Sequence, residues 1–220
     1  MTGPEMLEWL RARRSVRTFT DEPVAREVLV RIIDGATTAP SNTNRQPWRF
    51  TIVRSAAMRE KLVGAVATKV AEMKAIIANS RHAADYGDYG DFFHEPLAAA
   101  QVIVIPQYRE YPDLIANMIE SGGGDPSRFS TASQMQAELC STSAAIMALL
   151  LQVHAEGLGA CMMAGPMVAR HELNALLGIA EPWRMLGAIA IGHPSGSAPV
   201  RPRKPLDRVV QWIEDEENRS

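Results

Sequence analysis

Cysteine is scarce in this chain. Only Cys140 and Cys161 occur in 220 residues, each in apolar surroundings, and they form no spaced pair. That usage predicts two reduced core residues in a cytoplasmic protein rather than a disulfide framework. A strong charge of one sign is missing as well. The formal net charge is −2, which gives no indication of a nucleic-acid partner.

Long hydrophobic runs and metal-ligand patterns are also absent. The first fourteen residues carry acids and three arginines without the apolar stretch of a signal peptide, so we expect no secretory leader. The longest apolar run, Ala144–Val153, is too short to cross a membrane. The five histidines show no metal-ligand spacing, and neither a P-loop nor a G-x-S-x-G segment occurs. These absences argue against a metal site, a membrane protein and a serine hydrolase.

The sequence does contain enough apolar material for one core. Hydrophobic residues make up 46% and charged residues 22%, which predicts a single globular domain over residues 1–220. Hydrophobic spacing predicts the helices Pro4–Arg14, Val24–Thr37, Met58–Ile77, Ala132–Glu156 and His171–Leu177, and the strands Phe50–Val53, Val102–Ile105, Ala160–Ala164 and Leu186–Ile191. Their order favours an α+β sheet covered by helices over a doubly wound one.

Two segments differ from the rest. Ala132–Glu156 is apolar nearly all the way round and is predicted to be the longest helix, central to the core or to a subunit interface. Pro106–Ser133 is long and polar, which is typical of a lid or a binding loop. We therefore expect a lid or insert at about residues 80–133.

The first segment that carries chemistry is Arg13-Arg14-Ser15-Val16-Arg17. An arginine fork donates two hydrogen bonds to one phosphate, and an extended backbone would put Arg13, Ser15 and Arg17 on one face. The same cations could instead complement the dipole at a helix C-terminus, and taken alone that interpretation is the stronger one.

Three other segments offer binding groups. Ala39–Trp48 places amides and hydroxyls between two prolines. They could pair with the polar edge of a heterocycle or bond their own backbone in an ordinary turn, and composition favours neither. Arg201–Pro205 is an extended basic segment, whose alternative is a solvated tail. Ala164-Gly165-Pro166 follows a predicted strand, and its small residues would let the backbone approach a flat ligand.

The sequence resembles the FMN-dependent nitroreductase superfamily in an ordered set of segments. These are RRSVR, APSNTNRQPWRF, an apolar helix ending in EGLG, the Ala164-Gly165-Pro166 segment and a final RKP. The resemblance covers about Leu7–Val210. RRSVR together with PRKPLD is similar to the branch that holds iodotyrosine deiodinase and flavin-destructase-like enzymes. It implies a central mixed, mostly antiparallel sheet flanked by helices, in an intertwined homodimer with two FMN sites at the subunit interface.

The resemblance also implies residue roles. Arg13 and Ser15, with Arg203 and Lys204, would hold the FMN phosphate, and Arg14 would also bind the cofactor. Arg17 would face the N1 and O2 edge of the flavin and act as the catalytic residue, because a fixed cation stabilises the charge that reduction places there. The remaining cofactor-binding residues would line the flavin ring: Pro40, Ser41, Asn42, Thr43 and Asn44, from the partner subunit, and Met163, Ala164 and Gly165, near N5.

The implied activity is that of an NAD(P)H-dependent oxidoreductase, which reduces nitroaromatics, quinones or similar flat, electron-poor substrates by ping-pong hydride transfer. The alternatives are a reductive dehalogenase, an enzyme that consumes reduced flavin with oxygen, and a non-catalytic protein that stores or senses FMN. Residues Met73–Phe93 lack the Y-M-K-R-like segment of iodotyrosine deiodinases, which argues against deiodination of tyrosine. The aromatic residues nearby could roof a flat substrate or pack within the lid: Tyr86, Tyr89, Phe92 and Phe93.

Overall fold

A computed structural model describes residues 2–86, 89–131 and 133–213. Its α-helices are α1 (Gly3–Ala12), α2 (Arg26–Thr37), α3 (Ala56–Ile77), α4 (Ala83–Tyr86), α5 (Glu95–Ala99), α6 (Leu114–Ser121), α7 (Ala137–Ala155) and α8 (Arg170–Leu177). Its strands are β1 (Trp48–Val53), β2 (Val102–Arg109), β3 (Gly159–Met163), β4 (Trp183–Met185) and β5 (Ala188–Gly192).

The strands form one sheet in the order β1-β2-β5-β3, and β4 pairs with β2 beyond the end of β5. All pairs of these strands are antiparallel. A parallel bridge joins Ser15 to Ala160, where the amide of Val16 donates to the Ala160 carbonyl at 2.9 Å. The predicted α+β fold with a mixed, mostly antiparallel sheet flanked by helices is therefore confirmed, and β3 lies at the edge of that sheet.

Alternation along β2 separates two hydrophobic layers, because successive side chains point to opposite faces. Ile103 and Ile105 face the layer that contains Leu62 of α3 and Leu173 of α8. Their neighbours Val102 and Val104 face a second layer, built from residues of α2 and α7 such as Ile32 and Leu149. The sheet is thus covered by helices on both faces.

Helix α7 differs from its prediction in three respects. It begins at Ala137, and at 19 residues it is shorter than the 22-residue α3, so the expectation of the longest helix was wrong. Cys161 is buried as expected, but Cys140 is exposed, because its position on α7 faces away from the sheet. In the described part of the chain, α7 alone has the length and composition to cross a membrane, although Leu149 and Val153 are buried in the core.

The predicted loop at Pro106–Ser133 was also wrong at its start, since β2 continues to Arg109 and α6 follows. Proline is tolerated inside β2 because of its place in the sheet. The Pro106 carbonyl accepts from the Leu186 amide at 2.9 Å, on the side where β2 passes from β5 to β4. The missing amide thus falls between two partner strands. Within the predicted lid, residues 87, 88 and 132 lie outside the described residues.

Candidate functional site

The N-terminal cationic segment lies against the beginning of β3. The backbone turns extended at Arg13, directly after α1. Val16 packs onto Gly159, where an added Cβ would come within 2.7 to 2.9 Å of its side chain. Because Val16 faces this contact, alternation directs Ser15 and Arg17 to the opposite side, and both are exposed.

Cations from the two ends of the chain line one cavity of about 520 Å³. Arg13, Ser15 and Arg17 contribute from the N-terminal segment, and Arg201 and Arg203 contribute from the basic segment near the C-terminus. The other lining residues are Leu10, Arg11, Arg14, Pro199, Val200 and Pro202. Lys204 is exposed and does not line this cavity, although it was predicted to bind the same phosphate.

Charge in this cavity is uncompensated. Within residues 2–86, 89–131 and 133–213, no carboxylate lies within 4.0 Å of the cationic nitrogens of Arg13, Arg17, Arg201 or Arg203. Several guanidinium groups without a counter-ion create a strongly positive potential, and their planar forks suit phosphate oxygens. The cavity can therefore bind a dianionic group.

Arg14 and Arg17 have different surroundings. Arg14 donates to the carbonyls of Arg11 and Arg13, the latter at 2.9 Å, and so satisfies the C-terminal end of α1. For this one arginine the helix-end interpretation holds. Arg17 lies within electrostatic range of Cys161 on β3, where burial raises the pKa of the thiol and the positive charge of Arg17 opposes that rise.

The end of β3 is shaped by close backbone packing. A Cβ added at Gly165 would lie 2.2 Å from a ring carbon of Phe93. Gly187 has φ of 137°, and a Cβ there would lie 2.5 Å from the Met163 carbonyl oxygen. Ala164 is exposed between these contacts. Larger residues at positions 165 and 187 would displace this backbone, because neighbouring atoms already fill the space beside each glycine.

The loop of Pro40–Pro47 has a strained backbone. Thr43, Asn44 and Gln46 have φ of 49°, 53° and 46°, the left-handed region that residues with a Cβ rarely adopt. The Ser41 hydroxyl accepts from the Gln46 amide at 3.0 Å, and the Asn42 amide donates to the Ser141 hydroxyl of α7 at 3.1 Å. Local bonding and strain thus occur together, and such strain is concentrated at functional sites.

A buried ion pair fixes the same loop to α7. Arg45 lies 2.8 Å from Glu138, and the two side chains are 23% and 4% exposed. The Arg45 guanidinium also lies 5.2 Å from the ring centroid of Tyr111, whose hydroxyl donates to the Arg45 carbonyl at 3.4 Å. These contacts attach the loop to α7 and to Tyr111.

The two groups of predicted cofactor residues lie at opposite ends of α7. Asn42 bonds Ser141 near the first turn, whereas Arg13 shares a second cavity with Val153 near the last turn. Val153 lies twelve positions after Ser141 on α7. This spacing corresponds to a distance of roughly 18 Å along the helix axis, at about 1.5 Å per residue. The structure therefore brings together Arg13, Ser15, Arg17 and Arg203, but it does not bring Pro40, Ser41, Asn42, Thr43 and Asn44 to them within one subunit.

Two residues of the cationic cavity were missed as site residues. Arg201 lines it in place of Lys204. Alternation in an extended chain would have shown this, because residues 201 and 203 share a face and residue 204 points away. Arg11 also lines the cavity from the last turn of α1. Its position one helical turn before Arg14 was the available signal.

Comparison with known proteins gives three further findings. Residues 10–193 match the profile of the Nitroreductase family. The chain is 29% identical to NADH dehydrogenase of Thermus thermophilus over 208 residues, covering 91% of this chain and 92% of the relative. Two solved structures share the fold at 20% sequence identity, and each alignment covers 95% of this chain and 99% of the chain in the solved structure. They are a BluB-like flavoprotein from Clostridium difficile 630, with a TM-score of 0.80, and oxidised iodotyrosine deiodinase bound to FMN and 3-iodo-L-tyrosine, with a TM-score of 0.69.

Proposed function

Because the chain belongs to the nitroreductase family of FMN-dependent oxidoreductases, we propose that it oxidises NAD(P)H and reduces nitroaromatics, quinones or similar flat, electron-poor acceptors. The resemblance drawn from RRSVR and APSNTNRQPWRF is confirmed at the level of the family. One observation carries the proposal. Cations from both ends of the chain, with no counter-ion among the described residues, meet in one cavity beside the edge strand β3.

The residues at this site fit FMN. Arg13, Ser15 and Arg203 offer charge-assisted and hydroxyl hydrogen bonds to a phosphate dianion. Gly165 lets the ring of Phe93 pack against the backbone after β3, and the neighbouring exposed Ala164 can face a planar ring. Arg17, within electrostatic range of Cys161, holds a fixed positive charge near the same strand.

When bound, FMN would supply the redox chemistry, which is hydride transfer from NAD(P)H to the acceptor. The chain would contribute binding, orientation and charge. Arg17 would stabilise the negative charge that reduction places at the N1 and O2 edge of the ring, and this is the role that we assign to it in catalysis. Met163, Ala164 and Gly165 would present backbone to the ring, with no acid–base pair of the protein required.

We further propose a homodimer in which Pro40–Asn44 of one subunit lines the flavin held by its partner. The distance between the two groups along α7 supports this arrangement, because one subunit alone does not complete the site. Met147 on α7 is 42% exposed, and the apolar residues of the C-terminal segment are also exposed. Exposed apolar surfaces of this kind mark protein interfaces. Two unpaired cysteines support a reducing, cytoplasmic location.

The phosphate assignment is tested by measuring FMN affinity. We expect Arg13→Ala to weaken binding by roughly 1.5–3 kcal/mol, because a charge-assisted hydrogen bond is lost. Equilibrium titration of the apoprotein with FMN measures this change. The matched control is Arg26→Ala, since Arg26 is an exposed arginine at the start of α2, outside the cationic cavity. Equal affinities for the wild type and Arg13→Ala would contradict the assignment.

The activity is tested by following NADH and NADPH oxidation with nitrobenzene as the acceptor. Turnover supports the proposed reductase. The similarity in fold to iodotyrosine deiodinase favours reductive dehalogenation as a second candidate, which halide release from an iodophenol would detect. A protein that retains FMN but turns over neither acceptor would instead be a storage or sensing protein.

A further inference from the structure

Four aromatic rings form a continuous cluster between α3 and the end of β3. Tyr89 lies at its centre, with ring centroids 5.9 Å from Tyr86, 5.3 Å from Phe92 and 5.4 Å from Phe93. Phe92 and Phe93 are 4.7 Å apart. Each of these four ring pairs meets edge to face, with interplanar angles of 81° to 87°. We refer to these four residues as the aromatic cluster.

Phe93 connects the aromatic cluster to the candidate flavin site. It is 8% exposed, and its ring lies directly against the backbone of Gly165. Three of its ring atoms would lie within 2.8 Å of a Cβ at that position. Because Gly165 belongs to the segment that we assign to the flavin ring, the aromatic cluster begins at the edge of the proposed site.

The other three residues are about half exposed, at 49% for Tyr86, 44% for Tyr89 and 47% for Phe92. Packing within the cluster therefore buries Phe93 but leaves part of each of the other three rings accessible. Neither tyrosine hydroxyl makes a hydrogen bond to any of the described residues. The exposed rings therefore offer apolar faces and two available hydroxyl groups.

The segment that carries these rings is held in place from α3. Lys74 lies 2.9 Å from Asp91, in the turn that precedes Phe92. Gly90 adopts φ of 118°, and a Cβ there would lie 2.7 Å from the Met73 side chain. The aromatic cluster is thus supported at its base while its outer rings face solvent.

We infer that the aromatic cluster is the binding wall for the acceptor substrate and selects aromatic compounds over non-aromatic ones. Aromatic rings prefer edge-to-face or offset contacts with other rings, which aliphatic surfaces do not provide. A small aromatic ring that docks on Tyr89 and Phe92 covers exposed apolar area, and a polar substituent on that ring can accept from a tyrosine hydroxyl. This inference rests on the proposed function, since it names the acceptor class for the same site.

The test measures binding separately from turnover. In the oxidised FMN-loaded protein, without NAD(P)H, the dissociation constant for nitrobenzene is read from the perturbation of the flavin absorbance. We expect Tyr89→Leu and Phe92→Leu each to raise this constant about tenfold. Tyr89→Phe keeps the ring and is the matched control, with an expected change of less than about threefold. FMN content and the thermal midpoint show that each variant is folded.

Turnover provides the second measurement. In Tyr89→Leu and Phe92→Leu we expect kcat/KM for nitrobenzene to fall about tenfold, a larger factor than the change in kcat/KM for ferricyanide, which has no ring. Unchanged nitrobenzene binding in both variants, or no binding to the wild type, overturns the inference. If the wild type binds nitrobenzene and the variants do not, but NAD(P)H is not oxidised, the assignment of the aromatic cluster as a binding surface is supported and the proposed reductase function is contradicted.

Discussion

The two ends of α7 carry the same kind of ion pair in different surroundings. At the first turn, Arg45 and Glu138 are mostly buried, at 23% and 4% exposure. At the last turn, Arg31 donates to both oxygens of Glu156, at 2.9 and 2.6 Å, but the two side chains are 54% and 15% exposed. The chemistry is equivalent, whereas the cost of breaking each pair is not, because water replaces the partner only at the exposed end.

This difference separates a surface held by buried contacts from a more exposed one. The first end holds Thr43 and Asn44 in left-handed conformations through buried contacts. Near the last end, Arg13 and His154 line a cavity of about 280 Å³, and Trp9 lies 4.9 Å from His154 between ring centroids. One half of the proposed flavin site is therefore fixed by contacts within the protein, and the other half consists of exposed or partly exposed cations.

The largest expected effect follows from removing the buried charge at the first end. Glu138→Gln leaves Arg45 without its carboxylate, and since Arg45 retains some exposure we expect a loss of about 2–3 kcal/mol in the free energy of unfolding. Urea denaturation at neutral pH measures it. FMN affinity should fall as well, because the loop loses its anchor. A loss no larger than that of Glu156→Gln would remove the distinction between the two ends.

A smaller effect of opposite sign is expected in the strained loop. Thr43→Gly relieves a left-handed β-branched residue, so we expect the free energy of unfolding to rise by about 0.5–1 kcal/mol. Affinity for FMN should fall, since Thr43 is assigned to the flavin ring. Thr68→Gly is the control, because Thr68 is exposed within α3 and glycine there should destabilise the helix by about 0.5 kcal/mol. A decrease in stability for Thr43→Gly would argue against strain.

The smallest effect is expected for Glu156→Gln at the exposed end. The hydrogen bonds from Arg31 lower the pKa of Glu156 below its ordinary value of 4.5. A lowered pKa stabilises the fold above the unfolded-state value, and that contribution is lost as the pH falls through the folded-state value. The variant and wild type should therefore differ slightly in urea midpoint at neutral pH and converge as the pH falls below the folded-state pKa of Glu156. A difference that persists in acid would have another origin.

Hydrophobic spacing predicted most of the fold, because it records which faces are buried. It placed α2, α3 and α8 and four of the five strands described. It missed β4, since three residues are too few to show alternation. It also ended β2 at Ile105, before Pro106, because the gap between β5 and β4 that accommodates a proline exists only in the assembled sheet.

The candidate site was predicted less completely, because residue type does not fix direction. The sequence identified both cationic segments, but Arg14 turns back onto α1 and Lys204 points away from the cavity. The contact of Phe93 with Gly165 joins residues 72 positions apart. No local pattern could reveal it, and it depends on how α3 and β3 pack.

The position of β3 at the sheet edge has a consequence for handling the protein. Its outer side is bridged to the N-terminal segment at Ala160, and in the described chain no further strand covers Cys161 to Met163. Uncovered backbone at a sheet margin is a template for unwanted strand addition between molecules. The proposed flavin site and the uncovered strand edge are therefore neighbours. A ligand bound at this edge would also reduce aggregation by blocking strand addition.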